Sequence, residues 1–595
     1  MSPETRSESY IIVDIDDVAT RAVLVERREG TYSIKGKCQA STTLDLPILD
    51  VTEGVKRALK ELGQKTGKEL LVDDAHTSDH GFLCSSSTGG SLYMMVSGVI
   101  GMISGESAQR AALGAGALLI DVFSRDDPRP AFQMVERMRN MKPDMFLLAG
   151  GTDGGAIEQV LEMARLISAA DIQPRFGSEY KLPVVFAGNV EVREEVSETL
   201  SKRKYATKAV ENVRPLIETE NLGPAKEAIY DSFMQHVIIH SPGYEKLVRW
   251  VDEPIIPTQA AIGKILYAYA LERQLNLLAV DLGGATTDVY SVYNGIFNRS
   301  LNADIGLTYG ICNVMKQTGI QNIMRWIPSN IGEREVRNII GNLMILQPRS
   351  LSFEEMLVEQ AAVREAIRMG VESHKNMASR LKGLSLKRTL GDIFNQFLEP
   401  TYLEMMNTPL VIGRGRVFME SKSRDAALLL LDGFQPEGVT EMLVDKASIM
   451  PHLGMLLRSK TEAALGILSK ECLHMLGTCV APKGRSGGHE EAMRIKMVKP
   501  DGSVIEDQVI SGELKTVALA IGETARLEVV PGRGLDVGKG KGKRVEIQVA
   551  GGEIGLILDA RGRPLETPAD KDLTAKWKES LTPSQHIPVQ AVGAD

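Results

Sequence analysis

The stretch Val280-Asp-Leu-Gly-Gly-Ala-Thr-Thr-Asp288 decides the reading of this chain. An apolar strand, Leu277-Leu-Ala-Val-Asp281, runs into two glycines, two threonines and a second aspartate. Gly283 and Gly284 let the backbone approach a polyanion closely. Their N–H groups, with the hydroxyls of Thr286 and Thr287, form a nest for phosphate oxygens, and Ala285 sits at its centre. Asp281 and Asp288 are the carboxylates suited to hold Mg, directly or through its waters. The plain alternative is a glycine-rich hairpin turn with no ligand.

Working outward, a similar strand end stands near the N-terminus. Tyr10-Ile-Ile-Val-Asp14 leads through an acidic turn into Arg21-Ala-Val-Leu-Val-Glu26, which predicts a hairpin. From 104 to 215 the rhythm changes. Helical stretches at 105–115, 131–140, 156–168 and 190–202 lead into apolar runs at 117–121, 145–149, 183–187 and 205–209. Such alternation predicts a parallel sheet covered on both faces. Ligands of these sheets bind at the carboxyl ends of the strands. Gly150, Gly151, Thr152, Asp153, Gly154 and Gly155 fall there in one run. They read as a ligand or partner loop, or as a turn in which Thr152 or Asp153 caps the next helix. A late strand, Thr408-Pro-Leu-Val-Ile412, ends in Gly413-Arg-Gly-Arg416, and past Pro482 short alternating runs read as a small β domain.

The octet Asp281–Asp288 resembles the second phosphate loop of the actin / Hsp70 / sugar kinase superfamily. That resemblance implies an α/β, two-lobed fold with ATP between the lobes. Asp14-Ile-Asp-Asp-Val-Ala-Thr-Arg21 then stands at the first phosphate loop and Val411-Ile-Gly-Arg-Gly-Arg416 at the adenosine loop. Further segments narrow the resemblance: Ser86-Ser-Thr-Gly-Gly90, Arg110-Ala-Ala-Leu-Gly-Ala-Gly116, Pro143 to Gly155, Glu211-Asn-Val-Arg-Pro215 and Pro257-Thr-Gln259. Over residues 8–475 the chain is similar to the glutamate mutase L type, unrelated to the mismatch-repair protein of similar name. The family implies an ATP-driven reactivating chaperone for an adenosylcobalamin-dependent carbon-skeleton mutase or aminomutase, with the cobalamin-dependent mutase subunit as partner. By the same resemblance Asp14 and Asp281 position Mg and the attacking water. Gly283 to Thr287 hold phosphates with Thr20 assisting, and Gly413 and Gly415 let adenosine approach.

The first loop departs from the family pattern Asp-x-Gly-Ser-Thr-x-Thr-Lys. Asp16, Asp17 and Val18 replace Gly-Ser-Thr, and Arg21 replaces Lys. Each carboxylate facing a triphosphate charge costs about 4 kcal/mol at about 4 Å for an effective dielectric of about 20. A non-hydrolysing pseudo-ATPase scaffold is therefore the second reading. A small-molecule kinase is the third, without an identifiable acceptor-activating base.

Composition excludes other classes. Lys and Arg total 69 against 77 Asp and Glu, so the net charge of −8 draws no nucleic acid. Five cysteines without a CxxC pair exclude a disulfide framework and fit a reducing, cytoplasmic compartment. The longest apolar stretch, 92–103, falls short of the about 20 residues that span a bilayer. His236 and His240, four apart, lack a third ligand for zinc. The expected organisation is a first lobe with phosphate loop 1 at 8–103, an inserted doubly wound α/β domain at 104–215 that grips the mutase, and a helical return at 216–276. A second lobe at 277–480, a β domain at 481–565 and a tail at 566–595 follow.

Overall fold

The structure, a computed structural model, describes residues 8–16, 18–72, 75–76, 79–87, 92–175, 177–236, 241–327, 331–345, 351–378, 401, 403–485, 487, 490–566 and 571–581. Asp17, residues 88–90 of the serine-rich loop and His240 lie outside the described residues. The chain divides into two compact units. The first comprises Met1–Tyr269, Arg380–Pro400 and Ile449–Glu471, and the second Ala270–Ser379, Thr401–Ser448 and Cys472–Asp595.

In the first unit the apolar run after Glu8 forms β1 (Ser9–Ile15), which turns back into β2 (Ala19–Arg28) and β3 (Thr31–Ser41). A two-residue ribbon, β4 (Leu71–Val72) and β5 (Ala75–His76), precedes β6 (Gly81–Ser86), which lies parallel to β1. The helix Val51–Thr66 covers this sheet. Asp50 caps its start by accepting from the Thr52 N–H, and Gly67 ends it at φ 70°.

The inserted sheet starts earlier than the expected residue 104. Its first strand is β7 (Tyr93–Gly98), the first half of an apolar run that reads in sequence as one broken stretch. With β8 (Leu118–Ser124), β9 (Met145–Leu148), β10 (Leu182–Phe186) and β11 (Tyr205–Ala209) it forms an all-parallel sheet of order β11-β10-β9-β7-β8. This is the doubly wound order 2-1-3-4-5. Met94, Val96, Leu147 and Val185 join Ile11, Val13 and Phe82 in one apolar cluster, so the insertion shares a core with the lobe that carries it. The strand β12 (Ile256–Pro257) completes the first lobe's sheet, order β12-β6-β1-β2-β3.

The second unit repeats that plan. A hairpin pair, β13 (Leu277–Leu282), β14 (Thr287–Tyr293) and β15 (Ile296–Asn302), runs antiparallel, and β16 (Leu410–Gly415) and β17 (Gly438–Asp445) continue in parallel on the other side. The strand order β15-β14-β13-β16-β17 matches β3-β2-β1-β6-β12 of the first lobe, strand for strand. The fold is thus the two-lobed actin / Hsp70 / sugar kinase type with an inserted doubly wound domain.

Three further expected boundaries shift. Ile449–Glu471 belongs to the first unit rather than to a continuous second lobe, because the fully buried helix Met450–Leu456 packs there, with Gly454 against the Ala261 backbone. The expected β domain at 481–565 is not free-standing. Its antiparallel sheet consists of β19 (Glu491–Val498), β20 (Val504–Ile510), β22 (Thr524–Pro531) and β23 (Val545–Ala550), in the order β20-β19-β22-β23. However, β18 (Leu473–Ala481), β24 (Gly555–Asp559) and β21 (Leu514–Val517) extend the second lobe's own sheet to eight strands. On β24, Leu556 and Leu558 face the β-domain core while Ile557 faces the lobe core. The expected tail includes a helix, Lys571–Ser580, anchored by buried Trp577 and by Leu581 four residues on.

One buried titratable group sets a pH limit on this unit. His374, fully buried on the helix Phe353–Met377, shares hydrogens with Ser300 Oγ at 2.7 Å and Ser291 Oγ at 2.8 Å. Burial lowers its pKa from 6.5 to about 3. The unfolded chain then takes up a proton that the folded chain refuses, so this contribution is intact above pH 6.5 and is lost as pH falls toward 3. Thermal melts are expected to show a smaller drop in Tm from pH 7 to pH 5 for His374→Gln than for the wild type. Equal drops would remove His374 from the account of acid sensitivity.

Candidate phosphate loops

The second loop is built by a strand end, a tight turn and a brace behind it. β13 and β14 pair through Asp281 with Asp288 and Leu282 with Thr287, and the Gly283 N–H closes the turn on the Thr286 carbonyl at 2.9 Å. Behind the turn the Leu307 N–H donates to the Gly283 carbonyl at 3.0 Å, and the Thr308 N–H to the Gly284 carbonyl at 2.8 Å. A trans peptide points its N–H opposite to its carbonyl. Drawing those two carbonyls inward therefore turns the N–H groups of Gly284 and Ala285 outward. Among the described residues no acceptor is bonded to the N–H of Gly284, Ala285 or Thr286, and Gly284 and Ala285 are exposed. The turn thus leaves three successive backbone amides without a bonded acceptor among the described residues. Its side chains differ from expectation, because only Thr286 lies at the turn's surface. Thr287 is fully buried and donates its hydroxyl to the Ile305 carbonyl at 2.7 Å.

The carboxylates beside the loop are occupied. One row across three strands reads Asp288, Asp281, Arg414. The Arg414 guanidinium donates to Asp281 Oδ2 at 2.5 Å and lies 3.5 Å from buried Asp445. Arg299 donates to Asp288 Oδ1 through Nε at 2.8 Å and Nη2 at 2.6 Å, all of it buried. Burial pushes the Asp288 carboxyl up, more strongly than Arg299 pulls it down. Among the described residues no group of three or more His, Cys, Asp or Glu side chains is arranged to hold a metal. Asp281 and Asp288 are each engaged by a guanidinium of their own unit, and Asp14 by two hydroxyls.

In the first unit Asp14 occupies the matching position. It is buried, and its Oδ1 accepts from the hydroxyls of Ser85 at 2.8 Å and Thr258 at 2.7 Å. Arg21, directly across the pair from Asp14, lies 3.9 Å from its Oδ2. Thr20 pairs with Ile15 on the opposite face. Its buried side chain meets Thr42 Oγ1 at 3.0 Å, so the structure does not bring it to Asp14. Asp16 Oδ1 accepts from the N–H of Val18 at 2.8 Å and Ala19 at 2.6 Å, and its Oδ2 from Arg21 at 2.5 Å.

The adenosine-loop glycines serve strand packing. Gly413 and Gly415 pair with Val280 and Leu282. A Cβ at Gly413 would stand 2.8 Å from the Phe418 ring, and Gly415, at φ 118°, presses on the Leu282 carbonyl. Arg416 is paired with Glu359 and Glu420.

The loop Gly150–Gly155 is likewise closed on itself. Asn212 Nδ2 holds Asp153 Oδ1 and the Gly151 carbonyl, both at 2.9 Å, and the Val190 N–H reaches Asp153 at 3.2 Å. The Gly155 N–H closes a four-residue turn on the Thr152 carbonyl at 2.9 Å. Gly154 is the third residue of that turn, exposed and at φ 74°, where a type II turn requires glycine. Gly150 and Gly151 also take positive φ, and a Cβ on either would strike Val99 or the Ala156 carbonyl. The glycines of this loop, Gly154 included, are thus accounted for by turn geometry and close packing, without a ligand. Neither Thr152 nor Asp153 caps the next helix, which starts at Glu158 without a side-chain cap.

Sequence reading missed Ser85 and Thr258 as holders of Asp14, and Gly306 and Gly310 as the brace of the second loop. A glycine pair about twenty residues past the octet is the signal that marks the brace.

Two sheets of one strand order, each ending its first strand in an aspartate and a tight turn, define a two-lobed chain of the actin / Hsp70 / sugar kinase class. The family described as MutL protein matches residues 10–472. The chain belongs to that family, the glutamate mutase L type. Protein MutL of Clostridium tetanomorphum is 28% identical over 493 residues, 78% of this chain and 99% of that protein. Among solved structures, the nucleotide-free diol dehydratase-reactivating factor aligns over 76% of this chain and 100% of its own at 10% identity, with a TM-score of 0.30. The activator of 2-hydroxyisocaproyl-CoA dehydratase from Clostridium difficile, with bound ADPNP, aligns over 78% and 98% at 11% identity, with a TM-score of 0.27. No helix among the described residues is long and apolar enough to cross a membrane.

Proposed function

We propose that this chain is a nucleotide-dependent reactivating factor, of chaperone type, for an adenosylcobalamin-dependent mutase. Membership of the glutamate mutase L family supports the partner. The outward N–H groups of Gly284 and Ala285 carry the nucleotide reading, because braced, unbonded amides on a glycine turn suit a phosphate oxygen. In this reading the phosphates bind through the backbone of Gly284 to Thr286 and the hydroxyl of Thr286. Arg414 engages Asp281, one of the two carboxylates expected to position Mg and the attacking water.

That Arg414–Asp281 pair favours the second reading, a scaffold that binds nucleotide and mutase without turnover. One experiment separates the two. A mutase inactivated by damaged cobalamin is incubated with the chain and either Mg-ATP or a non-hydrolysable analogue. Recovery with ATP alone supports the reactivating factor. Stable association with the mutase and no recovery supports the scaffold, and neither association nor recovery removes both.

The partner contact is proposed at the carboxyl ends of the inserted strands. There the loops expose Ile100, Met102, Ile157, Val190, Leu216 and Ile217. The loops are tied together, since the Asp153 N–H bonds the Pro215 carbonyl at 3.0 Å and the Asn189 N–H the Gly150 carbonyl at 2.9 Å. Apolar side chains held at one end of a sheet mark an interaction surface. Met102→Glu is expected to weaken capture of the mutase's cobalamin-binding subunit at least about tenfold, since a carboxylate would be buried there. Unchanged capture would move the contact elsewhere.

A further inference from the structure

We propose that Asp16 is a built-in occupant of the first loop. Its carboxylate fills from within the chain the place that a phosphate oxygen takes in the second loop, so nucleotide phosphates are gripped by residues 284–286 alone. This deepens the nucleotide reading above and rests on it.

The two loops correspond residue by residue in their pairing. Asp14 pairs with Arg21 as Asp281 pairs with Asp288, and Ile15 with Thr20 as Leu282 with Thr287. The Asp16 N–H closes its turn on the Ala19 carbonyl at 2.9 Å, as the Gly283 N–H closes on Thr286 at 2.9 Å. Asp16 therefore stands at the position of Gly283, Val18 at that of Ala285, and Ala19 at that of Thr286. Two of the amides left open in the second loop, those of Ala285 and Thr286, correspond to the ones filled in the first.

The filling is specific. Asp16 Oδ1 takes both amides, of Val18 at 2.8 Å and Ala19 at 2.6 Å, while Oδ2 takes the Arg21 guanidinium at 2.5 Å. Two amides and a guanidinium around an anion are what a phosphate group would meet in such a turn. Thr42 locks the arrangement by donating its hydroxyl to the Asp16 carbonyl at 2.7 Å and its N–H to the Val18 carbonyl at 3.1 Å. Gly283 has no side chain, so nothing at that position of the second loop can do the same.

Two variants separate filling from simple charge repulsion. Asp16→Gly opens both amides and releases Arg21. Asp16→Asn removes the charge but keeps an oxygen for the two amides. Calorimetric titration with Mg-ATP is expected to show affinity rising at least about tenfold in Asp16→Gly and staying within about threefold of wild type in Asp16→Asn, with adenosine unchanged in both. Equal tightening in the two variants would overturn filling in favour of charge repulsion, and no tightening in Asp16→Gly would overturn it outright. Amide hydrogen exchange of Val18 and Ala19 without nucleotide gives an independent readout. Exchange is expected to be slow in the wild type and Asp16→Asn and at least about tenfold faster in Asp16→Gly. If no form binds nucleotide, the nucleotide reading falls and the exchange result alone decides: unchanged protection in Asp16→Gly overturns the proposal, and lost protection sustains the filled loop.

Discussion

Gly306→Ala is expected to abolish nucleotide binding, with at least about a hundredfold loss of affinity and a folded protein left behind. A Cβ at Gly306 would stand 2.6 Å from the Gly284 carbonyl carbon and closer still to the Gly284 oxygen and the Ala285 carbon, against an ordinary contact of 3.4 Å or more. All three are backbone atoms, so no flexible side-chain end can give way. Relief of these contacts must therefore move the turn and the 306–310 segment apart. That separation breaks the bonds from Leu307 to Gly283 and from Thr308 to Gly284, and with them the outward aim of the N–H groups at Gly284 and Ala285. Overpacking of this kind costs about 1–3 kcal/mol of stability, a small fraction of what holds a unit of this size. Titration calorimetry paired with a thermal melt checks the claim. Binding within about threefold of wild type in a folded variant would show that the turn's geometry is not what holds the phosphates.

The second large effect concerns stability. Arg561, fully buried, bridges two buried carboxylates: Nη2 donates to Asp559 at 2.8 Å and Nη1 to Asp432 at 2.8 Å. Arg563 supports Asp559 at 2.7 Å and Arg364 supports Asp432 at 2.7 Å. The Arg561 guanidinium also lies 4.8 Å from the Trp577 ring centroid. The network ties β24 to the helix Ser423–Phe434 and to the C-terminal helix. Full burial works against ionisation of Asp559, yet the two guanidinium groups beside it hold its carboxyl well below the usual range. Arg561→Met keeps the volume and removes the bridge, leaving each carboxylate one partner short. Breaking a buried ionic network from one side costs about 3–5 kcal/mol, and the surviving arginines place this case near the lower end. Chemical denaturation followed by tryptophan fluorescence is expected to show that loss, with Arg561→Lys restoring less than half, because an ammonium cannot span both carboxylates. A loss under about 1 kcal/mol for Arg561→Met would mean that Arg364 and Arg563 carry the network without it.

Most of the architecture was legible because it rests on local pattern. Apolar strands ending in Asp14 and Asp281 echo one another, the resemblance of the octet to a phosphate loop implied the two lobes, and strand–helix alternation announced the inserted sheet. What escaped depends on groups distant in sequence. Arg414 reads as a loop arginine beside adenosine, and only the parallel pairing of β13 with β16 sets it against Asp281. Asp16 reads as a charge facing a triphosphate. Its carboxylate instead folds back on its own turn, because the Val18 and Ala19 amides lie within reach of one oxygen and the Arg21 guanidinium within reach of the other. The four glycines between 150 and 155 read as more than a cap needs, and the surplus answers to backbone conformation at Gly150, Gly151 and Gly154. Trp577 and Leu581 lie in polar sequence that looks like a tail, and two apolar anchors on one helical face suffice to dock it. The helix Met450–Leu456 follows the second lobe in sequence yet packs in the first unit, which no local periodicity can reveal.

The most direct test of nucleotide binding at the second loop is a calorimetric titration of the wild-type chain with Mg-ATP, run beside adenosine at the same concentrations. A micromolar Kd for Mg-ATP, at least about tenfold tighter than for adenosine, is the result expected if the amides of residues 284–286 hold phosphate. No binding up to millimolar Mg-ATP, or equal affinity for adenosine, would contradict it.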